Sequence, residues 1–305
     1  MAYHLLYGLL PGTSTYGKRD QTLIAHLAPI TAPSLPPAAL PRTFGDVSIA
    51  VEWQHFSLLL YAVPVERVRA LLPPSFEAAE LTIRRRPFAL LSVMSFVDRG
   101  HHSASGSSHA LLGFCGAFEQ TNYCLHAQRH GEPCHWLLGI SLGSLSAIAP
   151  RRLWALPWHL SAMSLNVSYA QAAGRYHSYR VQTQSQWANA RWEICDTGRP
   201  FDDACLAPSG WPSLPRRLTT YFTRRDGALG AYGTEFSPLA GTRAHLEFGQ
   251  CDWLERLGLL TSKEILRPHL AALQPSLTCQ IFSLSTTNPV PQFAKLRYGF
   301  SKETL

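Results

Sequence analysis

The chain has 305 residues, 46% of them apolar and only 15% charged, with 21 glycines and 22 prolines, and a net charge of +7 from 27 basic and 20 acidic residues. That length buries a sizeable core, and the glycine and proline content fits many turns rather than a helical bundle. The basic excess sits in short arginine clusters without a zinc finger, recognition helix or Lys/Arg stripe, so nucleic-acid binding is not indicated.

Residues 1–45 form an N-terminal extension that lacks a secretory signal and is proline-rich from 29, which predicts an extended surface arm. The body, 46–305, opens with a β-branched and aromatic stretch from Val47 that reads as one or two strands. Val65, Val68, Arg69, Leu71 and Leu72 then have helical spacing, and Pro73-Pro74 stops that short helix. Residues 88–96 read as a strand, followed by a polar loop holding His101, His102 and His109. Further strand-like pieces cover 114–128, 134–143 and 160–170. Residues 175–195 alternate with polar residues on both parities, which suits either a sheet lining a wet cavity or an exposed hairpin. Two short helices are expected within 248–273, and residues 278–290 offer a last strand. The longest apolar runs are about eight residues, too short for a membrane-spanning helix. A cytoplasmic protein is the expectation.

The chemistry concentrates between Ala110 and Ser178. Dinucleotide, P-loop, zinc-protease and nucleophile-elbow signatures are missing. The seven cysteines form no CxxC, so neither a redox pair nor a four-cysteine zinc site is expected. His126, His130 and His135 are spaced four and five apart. They read as surface or turn histidines rather than as a metal set, and no metal or cofactor is expected. Glu119 lies in an apolar and aromatic strand, so it is exposed, paired with an arginine, or kept for proton transfer with a raised pKa. His159 has the intrinsic pKa for acid–base work, with packing beside Trp158 as the alternative. Arg180 suits a bidentate carboxylate contact or a cross-strand ion pair.

These residues also carry a resemblance. The stretch from Trp53 to Pro64, the LLPPSF that ends the first helix, and the run from Phe118 to Cys124 before the Gly131–Trp136 turn resemble the DUF2071 (YqjF-like) family. Residues 156–163 and 176–180 continue the pattern. That family is related to the acetoacetate decarboxylase-like superfamily. The resemblance implies an α+β, mainly β fold: a closed β-barrel or cone with flanking short helices and an interior cavity. It also implies that Glu119 falls where the decarboxylases place an active-site glutamate, and that Trp158-His159 stands in place of their lysine pair. The four lysines here, Lys18, Lys263, Lys295 and Lys302, lie outside the central strands, which disfavours imine chemistry.

The expectation is therefore a lysine-independent acid–base enzyme. It would dehydrate, cyclise or isomerise a small keto or polyketide-like metabolite through an enolate, in secondary metabolism. Arg180 would anchor a carboxylate or enolate oxygen, His159 would act as base or acid, and Glu119 would orient it or move the second proton. Trp158, Trp136, Tyr123 and Tyr179 would contact a substrate bearing a carboxylate, enol or ketone. A non-catalytic binder or sensor and a structural protein docking through its arm remain alternatives, and a homo-oligomer is left open.

Overall fold

The computed structural model describes residues 47–102, 117–144, 156–202, 217–224 and 227–283, all within one compact unit, Ala39–Leu305. The N-terminal arm, His109, Arg151-Arg152 and three of the four lysines lie outside the described residues.

Fourteen strands dominate the described residues. In chain order they are β1 (Val47–Pro64), β2 (Glu77–Ala78), β3 (Glu80–Ile83), β4 (Arg86–His102), β5 (Phe118–Arg129), β6 (Glu132–Leu142) and β7 (Trp158–Leu160). Then come β8 (Ala162–Ala170), β9 (Arg175–Gln184), β10 (Ala190–Asp202), β11 (Arg217–Thr223), β12 (Leu229–Phe236), β13 (Ala240–Cys251) and β14 (Leu270–Ser283). Among the described residues, three short α-helices join them: α1 (Val65–Arg69), α2 (Asp252–Arg256) and α3 (Ser262–Ile265). The expected first helix ends at Arg69, before the two prolines. The long alternating stretch is two strands, β9 and β10, broken near Trp187.

Seven strands close on themselves in the order β1, β4, β5, β6, β11, β12, β14, because β14 pairs along most of its length with β1. Closure leaves those strands no free edge. Strand β14 also pairs with β13 through Leu273, Ala272 and Ala271. From there β13, β10, β9 and β8 run on as a second layer and fold back over the outer face of the ring.

This geometry buries both faces of the ring strands. Every residue from Gln120 to Ala127 is buried, so β5 lacks a solvent face. Even-numbered residues of β4 and β5, among them Met94, Phe96 and Cys124, join Trp53 and Leu58 inside the ring. Odd-numbered ones, among them Val93, Tyr123 and Leu125, pack outward against Val181, Trp192 and Trp253 of the second layer and its helices. Tyr61 ties the layers by donating its hydroxyl to the Ile265 carbonyl at 3.0 Å. A capping box starts α3: the Thr261 side chain accepts from Glu264 N while the Glu264 carboxylate accepts from Thr261 N.

The β5–β6 hairpin fixes what faces inward. His130 and Gly131 both have positive φ, 54° and 77°, as a two-residue primed turn requires. Arg129 therefore pairs with Glu132, and three positions back His126 lies directly opposite His135.

Candidate functional site

The predicted site residues divide between the two faces. Glu119, Tyr123 and His159 share the outward face of β5, β6 and β7. Strand pairing sets Ser57 beside Ser95, Ser95 beside Thr121, Thr121 beside Ser141, and Ser141 beside His159. A row of four buried hydroxyls thus crosses the ring wall and ends at the half-buried His159. Ser95 and Thr121 are hydrogen-bonded at 2.9 Å. At the other end the Tyr179 hydroxyl donates to the His55 and Ser95 carbonyls.

The His159 imidazole stacks on Trp187, with centroids 4.1 Å apart and planes 5° apart. Trp187 in turn contacts Tyr123 and Trp253. Beneath them the Ser141 and Tyr123 hydroxyls are fully buried, the phenol set against Ser141 and the Cys251 thiol. Burial pushes the Tyr123 phenol far up, so it stays protonated. Glu119 is half-buried beside Gly143, whose amide donates to the Glu119 carbonyl at 2.9 Å. From strand spacing alone, its Cα is about 12 Å from that of His159, two strands over and two residues along. The two share a face without being neighbours.

The other predicted residues go elsewhere. Arg180 lies on the solvent side of β9, its side chain 65% exposed, 4.0 Å from Glu193. It does not reach His159 or Glu119, because residues 179, 181 and 183 take the inward parity. That parity gives β9 one apolar buried face, so the strand is not polar on both sides as expected. Trp158 pairs with Ile140 and packs with the core inside the ring, on the face opposite His159. Trp136 is buried against Phe76 at the far end of β6, and Tyr179 is a buried interlayer tether.

Inside the ring is a polar set that the sequence does not mark as a site. His126 and His135 are buried, not the surface or turn residues expected, because the hairpin turns them inward. Their rings meet edge to face with centroids 4.6 Å apart. The Nε2 atoms of both make no hydrogen bond among the described residues. Burial lowers both pKa values, His126 well below the ordinary value and His135 to about 4, so both rings are neutral at pH 7. They line an apolar cavity of about 50 Å³ with Trp53, Phe56, Met94 and Leu277. Nearby in the ring Gln120 donates to Asn122 at 2.6 Å. Towards the Trp53 end, Asp98 is buried, and desolvation raises its pKa to about 7 against the opposing effect of the Trp53 indole. Neutral imidazoles in an apolar chamber suit recognition of an uncharged polar group. Among the described residues no helix is long and apolar enough to cross a membrane.

Three solved structures are similar to this chain to different degrees. An acetoacetate decarboxylase-like enzyme from Sphingomonas wittichii RW1 superimposes with a TM-score of 0.50 at 10% identity, over 80% of this chain and 94% of that one. Acetoacetate decarboxylase from Legionella pneumophila subsp. pneumophila str. Philadelphia 1 gives 0.47 at 12%, over 82% and 91%. The enduracididine biosynthesis enzyme MppR, complexed with pyruvate, gives 0.47 at 14%, over 79% and 90%. At such identities the likeness concerns the fold alone. No curated protein matches the sequence. Residues 50–274 match DUF2071, described as an uncharacterized conserved protein, and the chain belongs to that family.

Proposed function

We propose that the protein binds a small, uncharged, largely apolar molecule inside the ring of strands, and that His126 and His135 read its one polar group, a ketone or enol oxygen. The observation that carries this reading is the pair of buried Nε2 atoms without partners at an apolar cavity. A buried polar group left unsatisfied costs about 1–3 kcal/mol, and a ligand oxygen repays that cost on binding. A carboxylate fits poorly, since no cationic side chain lines the cavity among the described residues and an unpaired buried charge is costly. The volume corresponds to roughly four water-sized groups, which keeps the ligand small. His159, Glu119 and Arg180 lie outside this reading because they do not face the ring interior.

The test is calorimetric binding of small ketones, acetone among them, to the wild type and to His126→Leu/His135→Leu. Exchanging both rings for apolar side chains removes the orphaned atoms together, so the fold is retained. Binding should weaken at least about tenfold. Equal binding by the double variant would overturn the reading.

Acid–base turnover is a second reading, favoured by the proximity of the two rings. One neutral imidazole can take an α-proton while the other donates to the oxygen. NMR of the bound ketone in D2O separates the two: α-deuteration lost in the double variant marks an enzyme, and binding without deuteration marks a carrier or sensor.

A further inference from the structure

We propose that Cys195, His245 and Glu247 form a binding site for one divalent cation of the zinc class on the outer face of β10 and β13, with a fourth position open to water. Cys195 and His245 are direct cross-strand partners, which brings their Cβ atoms within about 5.5 Å. Pairing then slips: Ile194 faces Leu246 while Glu193 faces Phe248, leaving Glu247 as the extra residue of a bulge. Bulges re-aim side chains, and this one turns Glu247 towards the pair. The Cys195 sulfur, a His245 ring nitrogen and a Glu247 carboxylate oxygen all lie within 4.8 Å of one another. Bonds of about 2.0–2.3 Å in a tetrahedron require donor separations of roughly 3.3–3.8 Å. Rotations of three side chains that are exposed or half-buried close that difference without moving the strands.

The donor set selects the metal. Thiolate with imidazole favours zinc or cobalt over magnesium or calcium, which prefer oxygen. The competing local charges are already engaged: Arg191 pairs with Glu193 and covers Phe248, and the Asp196 carboxylate accepts from Tyr176 N and Gly198 N. On binding, the metal–sulfur bond forms as the Cys195 thiol releases its proton to solvent. Three protein donors and one water make the open coordination sphere of a reactive rather than a purely structural zinc site. The site lies on the far side of the second layer and does not depend on the ring cavity.

Cobalt(II) titration of the chelator-treated full-length protein tests it, because a cobalt–thiolate bond gives a charge-transfer band in the near ultraviolet. One equivalent should produce that band, and zinc should displace it. Cys195→Ser should abolish the band, while His245→Ala and Glu247→Gln should each weaken cobalt binding at least about tenfold. All three positions are on the surface, so circular dichroism should match the wild type. No band at stoichiometric cobalt, or a band that persists in Cys195→Ser, would overturn the assignment.

Discussion

The two faces of β5 differ in what surrounds their polar groups. Outward, Thr121 bonds to Ser95 and Tyr179 ties across to the ring, inside a layer packed with Trp192, Trp253 and Tyr61. Inward, His126 and His135 face an apolar cavity with both Nε2 atoms unsatisfied. The outer face is filled and joins two sheets, whereas the inner face keeps a chamber. Orphaned polar atoms beside space point to a ligand, while hydroxyls tied into tight packing point to architecture.

A set of substitutions and a pH series probe that contrast, beginning with the largest effect. Trp192→Ala should cost about 4 kcal/mol by urea denaturation because it opens a void in the packed layer, while Leu277→Ala on the chamber wall should cost only about 2 kcal/mol. Equal losses would erase the distinction between the faces.

Acid should act through the chamber. His135 titrates near 4 in the fold and near 6.5 unfolded, so its contribution is complete above 6.5 and disappears as pH falls towards 4. That is about 3 kcal/mol. Asp98 works the other way: raised to about 7, it stabilises most below pH 3.8 and loses that contribution as pH rises through 7. His126→Leu/His135→Leu should therefore remove the acid-side loss, and Asp98→Asn the alkaline-side loss, in urea midpoints measured from pH 4 to 8. Unchanged profiles would place these groups in water.

Gly139 of β6 and Gly143, just past its end, give a finer contrast on the outer face. A Cβ at Gly139 collides with the Trp187 ring, which is held by His159 and Trp253, so Gly139→Ala should cost about 2 kcal/mol and disturb the near-ultraviolet signal of Trp187. At Gly143 the new methyl meets Glu119 Oε2 at 2.7 Å. That is the end of a flexible side chain, so Gly143→Ala should cost under about 1 kcal/mol. Smallest of all, Arg180→Ala removes an exposed ion pair and should change stability by less than about 0.5 kcal/mol.

Much of the fold was legible in the sequence. β-Branched runs located the main strands, and the first helix was bounded by its apolar spacing and the prolines. The resemblance supplied ring closure, which no local pattern encodes. The site was harder to read because alternation tells parity but not which parity faces the chamber. With β5 buried on both sides, the apolar surroundings of Glu119 in the sequence did not tell its face, and it falls on the outer one. Arg180 went astray for a similar reason: Tyr179, Val181 and Thr183 are the inward set, and the polar content of the other set came from solvent. The histidine pair did carry a signal. A two-residue turn at His130-Gly131 implies that His126 and His135 are opposite, a step that spacing for metal ligands alone did not suggest.

A crystal structure of the protein soaked with acetone tests the central claim most directly. The account predicts ligand density inside the ring, with the carbonyl oxygen within hydrogen-bond distance of an Nε2 atom of His126 or His135. Density at His159 and Glu119 with an empty ring would contradict it and return the site to the outer face.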